Sequence, residues 1–209
     1  MWTIRFILLG LLMAFLISSS YFLSRRQKYQ EFLENRIFNL ALVFLYNLLC
    51  YLLTGLPSEP HVFSPLNFFS HPTLPQGFFI IGLSIIVAAV CLMGMAVRQR
   101  KTLGAQNVKE GLLVSGVYRY FRHPLYAGVI LASLGVALVT SSRDGLLMVP
   151  MVFLINTAQA LIEERFDIGR RFSLQYQEYR KRTGMFGPLW AWIILVGGLL
   201  VTAGISRLG

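Results

Sequence analysis

The sequence predicts an all-α protein of the polytopic membrane class, with about six transmembrane helices, and three observations predict it. Hydrophobic residues make up 56% of the 209-residue chain and mean hydropathy is +0.62, too apolar for an ordinary soluble domain. Six apolar stretches are long enough to cross, or nearly cross, a hydrocarbon core of about 30 Å at about 1.5 Å per residue. Lysine and arginine alternate between the connecting segments with a strong one-sided bias. The +10 net charge, carried by only 13% charged residues, therefore reads as positive-inside loops rather than a nucleic-acid footprint. No nucleic-acid partner is expected.

The first span is Trp2–Leu23. Arg5 ahead of an apolar core also suits a cleaved signal peptide, but the main positive cluster follows this segment rather than preceding it. Ser24–Arg36 reads as a solvated linker of mixed charge with no assigned role. Ile37–Leu56 is the second span. The connection Pro57–Gln76 carries no lysine or arginine and has five prolines. They rule out one continuous helix, while Phe63, Phe68 and Phe69 suggest that it lies along the membrane interface. His61 and His71 within it have no metal-ligand spacing, and no metal site is expected. Phe78–Val97 is the third span. Leu125–Thr140 and Leu146–Ile162 are shorter and joined only by Ser141–Gly145, which predicts a tight antiparallel hairpin. Leu189–Ile205 completes the set. Cys50 and Cys91 lie inside apolar runs and read as buried small hydrophobes rather than a disulfide.

These elements divide the chain into helices one to three (1–97), a core of 98–188 and a final helix (189–209). The core holds the hairpin 124–162 and an amphipathic helix 163–183. Sixteen of the 19 lysines and arginines fall after the first, third and fifth spans, against Arg5, Arg143 and Arg207 on the other side. Both termini are therefore expected outside and the three basic segments in the cytoplasm.

Two cytoplasmic segments carry polar residues that anchoring alone does not account for. In the first, "YRYFRHPLYAG" runs straight into the fourth span. Pro124 is suited to the first helical position, where its missing N–H costs nothing. The helix start, with Arg122 and His123 alongside, suits an anion such as a carboxylate or phosphate. The plainer reading is that Arg119 and Arg122 snorkel to headgroups while Tyr118, Tyr120 and Tyr126 form an aromatic belt. In the second segment, Asn156, Gln159, Glu163 and Asp167 fall within about an 80° arc of one helix face. Polar side chains are costly in lipid, so that stripe should face protein or a water-filled cavity. Glu163 and Glu164 sit where the fifth span meets a basic region, and ion pairs with Arg119, Arg122 or Arg170 are their simplest use. Phe172, Tyr176 and Tyr179 recur at helical spacing and read as packing. The hairpin brings the His123 end and the Glu163 end to one membrane surface, where acids would hold ammonium or ribose hydroxyls and helix N–H groups a carboxylate.

The ordered set "LLVSGVYRYFRHPLYAG", "EERF" and "FSLQYQEY" resembles the isoprenylcysteine carboxyl methyltransferase and phospholipid methyltransferase superfamily over roughly Gly104 to Pro188. The resemblance implies a membrane-embedded methyltransferase using S-adenosyl-L-methionine, with a C-terminal cofactor pocket on the cytoplasmic side of a helical bundle. It places His123, Pro124, Tyr126, Glu163 and Glu164 in the cofactor site, with Gly116 and Tyr118 shaping the turn into it. Arg122 and Gln159 are expected beside them. No G-x-G-x-x-G loop of the soluble dinucleotide fold is present. Ser173 stands where the family usually has glycine, "RTGMFGP" replaces the usual Arg-Val-Pro-Arg ending, and a further span follows Pro188.

The implied reaction is in-line displacement of a sulfonium methyl, dominated by positioning and desolvation when the acceptor is a carboxylate or thiolate. A phospholipid amine would need a base, for which Glu163, Glu164 and His123 are candidates. Arg98 and Arg100 could clamp an anionic acceptor entering from the bilayer, among the membrane lipids. Two other readings stand beside this one. An NADPH-dependent reductase of the sterol type shares a similar His-Pro-x-Tyr-x-Gly region, and a non-enzymatic adaptor would keep only the scaffold. Neither the acceptor nor the oligomeric state is fixed by the sequence.

Overall fold

The computed structural model describes residues 2–56, 74–100, 111–140, 142–189 and 191–193. Most of the proline-rich connection, with His61 and His71, lies outside these residues, as does nearly all of the expected sixth span. Among the described residues the secondary structure is helical, apart from one isolated bridge between Phe121 and Gly184.

Among the described residues, four helices are long and apolar enough to cross a membrane, and a fifth, shorter apolar helix packs among them. In chain order the helices are α1 (Trp2–Ser24), the short α2 (Gln30–Glu34), α3 (Arg36–Gly55), α4 (Leu74–Arg100), α5 (Pro124–Val139) and α6 (Arg143–Glu163). A π-helical turn (Glu164–Ile168) joins α6 to α7 (Gly169–Arg182), and a 3₁₀ turn (Gly116–Arg119) precedes α5. The protein is a polytopic helical membrane protein. Its exterior is correspondingly oily: Phe6, Ile17, Phe44 and Ile80 are all largely exposed on their helices, as lipid-facing side chains are.

Local chemistry sets the helix starts. The Asn35 side chain accepts from the Phe38 N–H (3.1 Å) at the head of α3, and Ser142 accepts from the Gly145 N–H (3.0 Å) at the head of α6. Both are N-caps that satisfy otherwise orphaned donors. Pro124 occupies the first turn of α5, as its fixed φ favours.

The central contact is between α4 and α5. A Cβ added at Gly82 would lie 2.8 Å from the Gly135 carbonyl, and one at Gly135 would lie 2.7 Å from the Gly82 carbonyl. The two backbones therefore touch at a pair of glycines, the small-residue packing typical of membrane helices. A second layer of Leu8, Leu12, Leu16, Leu49, Leu53, Val129, Val152 and Ile155 joins α1, α3, α5 and α6.

The helix ends sort into two sets. At one end Arg5 of α1 meets Asp144 at the head of α6 (3.2 Å), Ser142 and the Leu56 carbonyl after α3. At the other, Arg26 after α1 pairs with Asp167 after α6. The basic segments following α1 and α6 thus share one end of the bundle.

Three expectations need correction. The linker 24–36 is not simply solvated: Leu33 is buried and Arg26 reaches the fully buried Asp167. Cys50 is buried, but Cys91 is exposed on the outer face of α4. The continuous amphipathic helix 163–183 is broken by the π turn and by a non-helical Ser173 with φ 28°.

Candidate active site

The site is built where the segment before α5 meets the end of α6. His123, at the N-cap of α5, is buried with each ring nitrogen against a different carboxylate. Nδ1 lies 3.4 Å from Glu163 Oε2, and Nε2 lies 3.0 Å from Glu164 Oε1. Successive side chains diverge by about 100° on an α-helix, so one imidazole wedged between two neighbouring glutamates meets both. The π turn opens at Glu164 itself; such bulges recur at functional sites because they re-aim side chains.

Burial disfavours charge on the His123 ring, but the hydrogen bonds it donates to Glu163 and Glu164 and their negative charge outweigh it, raising its pKa above the ordinary imidazole value. Arg122 adds a second cation: its Nε lies 3.2 Å from Glu164 Oε1. Its other arm donates to the Arg180 and Thr183 carbonyls, both at 2.9 Å, at the end of α7. Arg122 therefore closes a helix C-terminus as well as pairing a carboxylate.

The backbone of this segment is held from a distance. The Arg122 and His123 N–H groups donate to the carbonyls of Gly184 and Met185, both at 2.9 Å. The Tyr179 hydroxyl bonds the Tyr118 carbonyl, and Thr183 Oγ1 approaches the Arg119 carbonyl at 3.4 Å. Gly116 begins the approach with φ +59°, and a Cβ there would collide with Gln99, whose Oε1 accepts from the Val117 N–H at 3.2 Å. Only glycine meets both demands. Tyr118 is buried under the Arg100 guanidinium at 5.3 Å, and burial pushes its phenol up to about 12.

A cavity of about 260 Å³ opens beside this cluster. Arg100, Arg122, His123, Glu163 and Gln159 form its polar wall, while Phe15, Phe22, Leu42, Val43, Met93 and Val129 are among its apolar lining. Pro124, Leu125 and Tyr126 also border it, with the Tyr126 ring stacked on His123 at 5.6 Å. A smaller cleft of about 30 Å³ lies on the far side of Arg100 and Arg122, walled by Tyr118, Arg171, Phe172, Tyr176 and Tyr179.

Most of the expected site residues thus come together: Arg122, His123, Pro124, Tyr126, Gln159, Glu163 and Arg100 line the larger cavity, and Glu164 backs it. Tyr118 lies on the smaller cleft, and Gly116 shapes the turn before it. Arg98 does not join them. It is exposed, two residues and so about 200° around α4 from Arg100. The polar stripe Asn156, Gln159, Glu163 and Asp167 is buried throughout. The belt reading holds only for Tyr120 and Arg119, exposed and in contact at 5.9 Å. Phe172, Tyr176 and Tyr179 pack with Leu112 and Ile168.

Sequence reasoning missed two parts. The first is the wall from α1 and α3, including Phe15, Asn39 and Tyr46. The second is the strap 183–187, where glycines around the buried Phe186 were the available signal.

Residues 74–168 match the phospholipid methyltransferase family. Over 158 residues, 71% of this chain, the sequence is 27% identical to a protein-S-isoprenylcysteine O-methyltransferase of Schizosaccharomyces pombe, of whose length the match spans 66%. The matched part of this chain is thus similar to membrane methyltransferases of both kinds. No solved structure matches it significantly. The family match runs from the start of α4 to the end of the π turn, so it contains His123 and both glutamates.

That similarity points to S-adenosyl-L-methionine, and the residues present fit that group. Glu163 lines the cavity with a carboxylate. It is an acceptor suited to an ammonium group or ribose hydroxyls, while the Arg100 guanidinium on the same wall suits a carboxylate.

Proposed function

We propose that the protein transfers a methyl group from S-adenosyl-L-methionine to a lipophilic acceptor drawn from the bilayer, at the cytoplasmic end of its helical bundle. What carries this reading is one cavity with two kinds of wall: a charged end built by His123, Glu163, Arg122 and Arg100, and an apolar body built by α1, α3, α4 and α5. The similarity to phospholipid and isoprenylcysteine methyltransferases supports it.

The bound cofactor supplies an electrophilic methyl group on a sulfonium. Glu163 would hold its polar tail, and Arg100 its carboxylate. The apolar walls hold the acceptor chain and exclude water, so orientation and desolvation provide most of the acceleration. His123 retains its proton to higher pH than a free imidazole, so it serves as a fixed cation between two carboxylates rather than as a base. If the acceptor is an amine, the proton goes to Glu163, the carboxylate that lines the cavity. A carboxylate or thiolate acceptor needs no base. The positive-inside bias supports placing this end in the cytoplasm.

Calorimetry with S-adenosylhomocysteine tests the reading. The purified protein should bind it, and Glu163→Gln should abolish the heat. Absence of heat from the native protein, with clear binding of NADPH, would sink the methyltransferase assignment in favour of a reductase. For sidedness, a cysteine placed at Ser142 should react with an impermeant reagent from outside intact cells; protection there reverses the orientation.

A further inference from the structure

The charged wall of the large cavity gives way to an uncharged polar tier deeper in the bundle. Gln159 lies four residues before Glu163, one helical turn and about 6 Å further along α6. Its Oε1 is buried without a hydrogen-bond partner. Across the cavity, the Tyr46 hydroxyl of α3 is likewise buried and unpartnered. Its neighbour is the thiol of Cys50, and sulfur is a weak acceptor. Both residues line the cavity, as does Tyr126, whose ring is 6.4 Å from that of Tyr46. Two unsatisfied polar atoms at membrane depth are costly unless a ligand completes them.

What would complete them is definite. Gln159 Oε1 accepts only, so it calls for an N–H or O–H. The Tyr46 hydroxyl donates, so it calls for a carbonyl or hydroxyl oxygen. We propose that Tyr46 and Gln159 are specificity-determining residues that read an uncharged group of the acceptor able both to donate and to accept, a secondary amide or a hydroxyl, set about one helical turn inside its charged end. This rests on the methyltransferase reading for the acceptor's place in the cavity. An acceptor whose hydrocarbon begins directly at its charged group leaves both atoms unpaired and is selected against.

N-oleoylglycine and N-oleoylsarcosine test this, because they share carboxylate, carbonyl and chain and differ in the amide N–H. Binding of each is measured in detergent by competition against a fluorescent fatty-acyl probe. The native protein should favour the secondary amide by about tenfold, the value of one hydrogen bond. Gln159→Leu should erase that preference while leaving the sarcosine affinity unchanged, which also shows that the variant is folded. Tyr46→Phe should weaken both ligands several-fold and keep their ratio. Equal affinities in the native protein, binding of neither, or a preference surviving Gln159→Leu would each overturn the proposal. S-adenosylhomocysteine titrated into the same samples separates the two levels. Its failure to bind with the amide preference intact rejects the methyltransferase reading alone.

Discussion

Two buried ion-pair clusters close the two ends of this bundle, and they are built to different ends. At the Arg5 end, a single cation is matched by Asp144, the Ser142 hydroxyl and the Leu56 carbonyl, and neither of the two cavities borders it. At the His123 end, two cations face two carboxylates, the carboxylates come from adjacent positions, and the group opens on a large cavity. The first cluster joins α1, α3 and α6 as a clasp would. The second leaves polar capacity facing the cavity, including Gln159 Oε1. Buried charge alone therefore does not mark a site; buried charge with an unfilled neighbour does.

The comparison breaks most sharply at His123. Replacing it with leucine leaves Glu163 and Glu164 buried side by side, with Arg122 and the more distant, exposed Arg180 pairing only Glu164. Loss of one partner of a buried ionic group costs about 3–5 kcal/mol, so thermal unfolding in detergent should fall markedly and S-adenosylhomocysteine binding should vanish. Arg5→Leu should cost less, about 1–3 kcal/mol, because Asp144 keeps some contact with water. Adding Asp144→Leu should restore most of that loss, and cofactor-analogue binding should be unaffected throughout. A double variant that stays unstable or fails to bind would refute the division between clasp and site.

Titration sharpens the contrast further. His123 has a folded pKa above its unfolded value, so its contribution is fully present below about pH 6.5 and is lost as pH rises through the folded value. The melting temperature of the native protein should therefore decline above that point, and His123→Gln should flatten the profile. The clasp has no histidine and should leave the same window untouched. The smallest effect is expected at Arg26, which is partly exposed and shares Asp167 with Arg171. Arg26→Gln should cost no more than about 1 kcal/mol in the same melts.

Much of this was legible in the chain. Hydropathy delimits α1, α3, α4 and the apolar parts of α5 and α6 because lipid demands unbroken apolar helices. The pairing of His123 with Glu163 and Glu164 follows from a hairpin too short to place their ends anywhere but together. What stayed hidden depends on distance in sequence. Nothing local to Phe15, Tyr46 or Leu33 distinguishes a cavity wall from a lipid-facing flank, and α1 and α3 show that difference only once packed. The burial of Arg5 was equally invisible, since its partner lies 139 positions away. Arg98 misled for the opposite reason: it is near Arg100 in sequence but points to the other side of the same helix.

The strap that receives the Arg122 and His123 N–H groups also sets an order of events. Its carbonyls belong to Gly184 and Met185, about sixty residues downstream, and both glutamates are synthesised some forty residues after the histidine they grip. A chain emerging from the ribosome N-terminus first carries a finished lipid-facing bundle of α1, α3 and α4 well before its imidazole has anything to hold. The protein can thus take up its place in the bilayer as an inert set of helices and become chemically competent only when the strap at Gly184 and Met185 arrives. Truncation before Gly184 should yield a membrane protein that inserts and binds no cofactor.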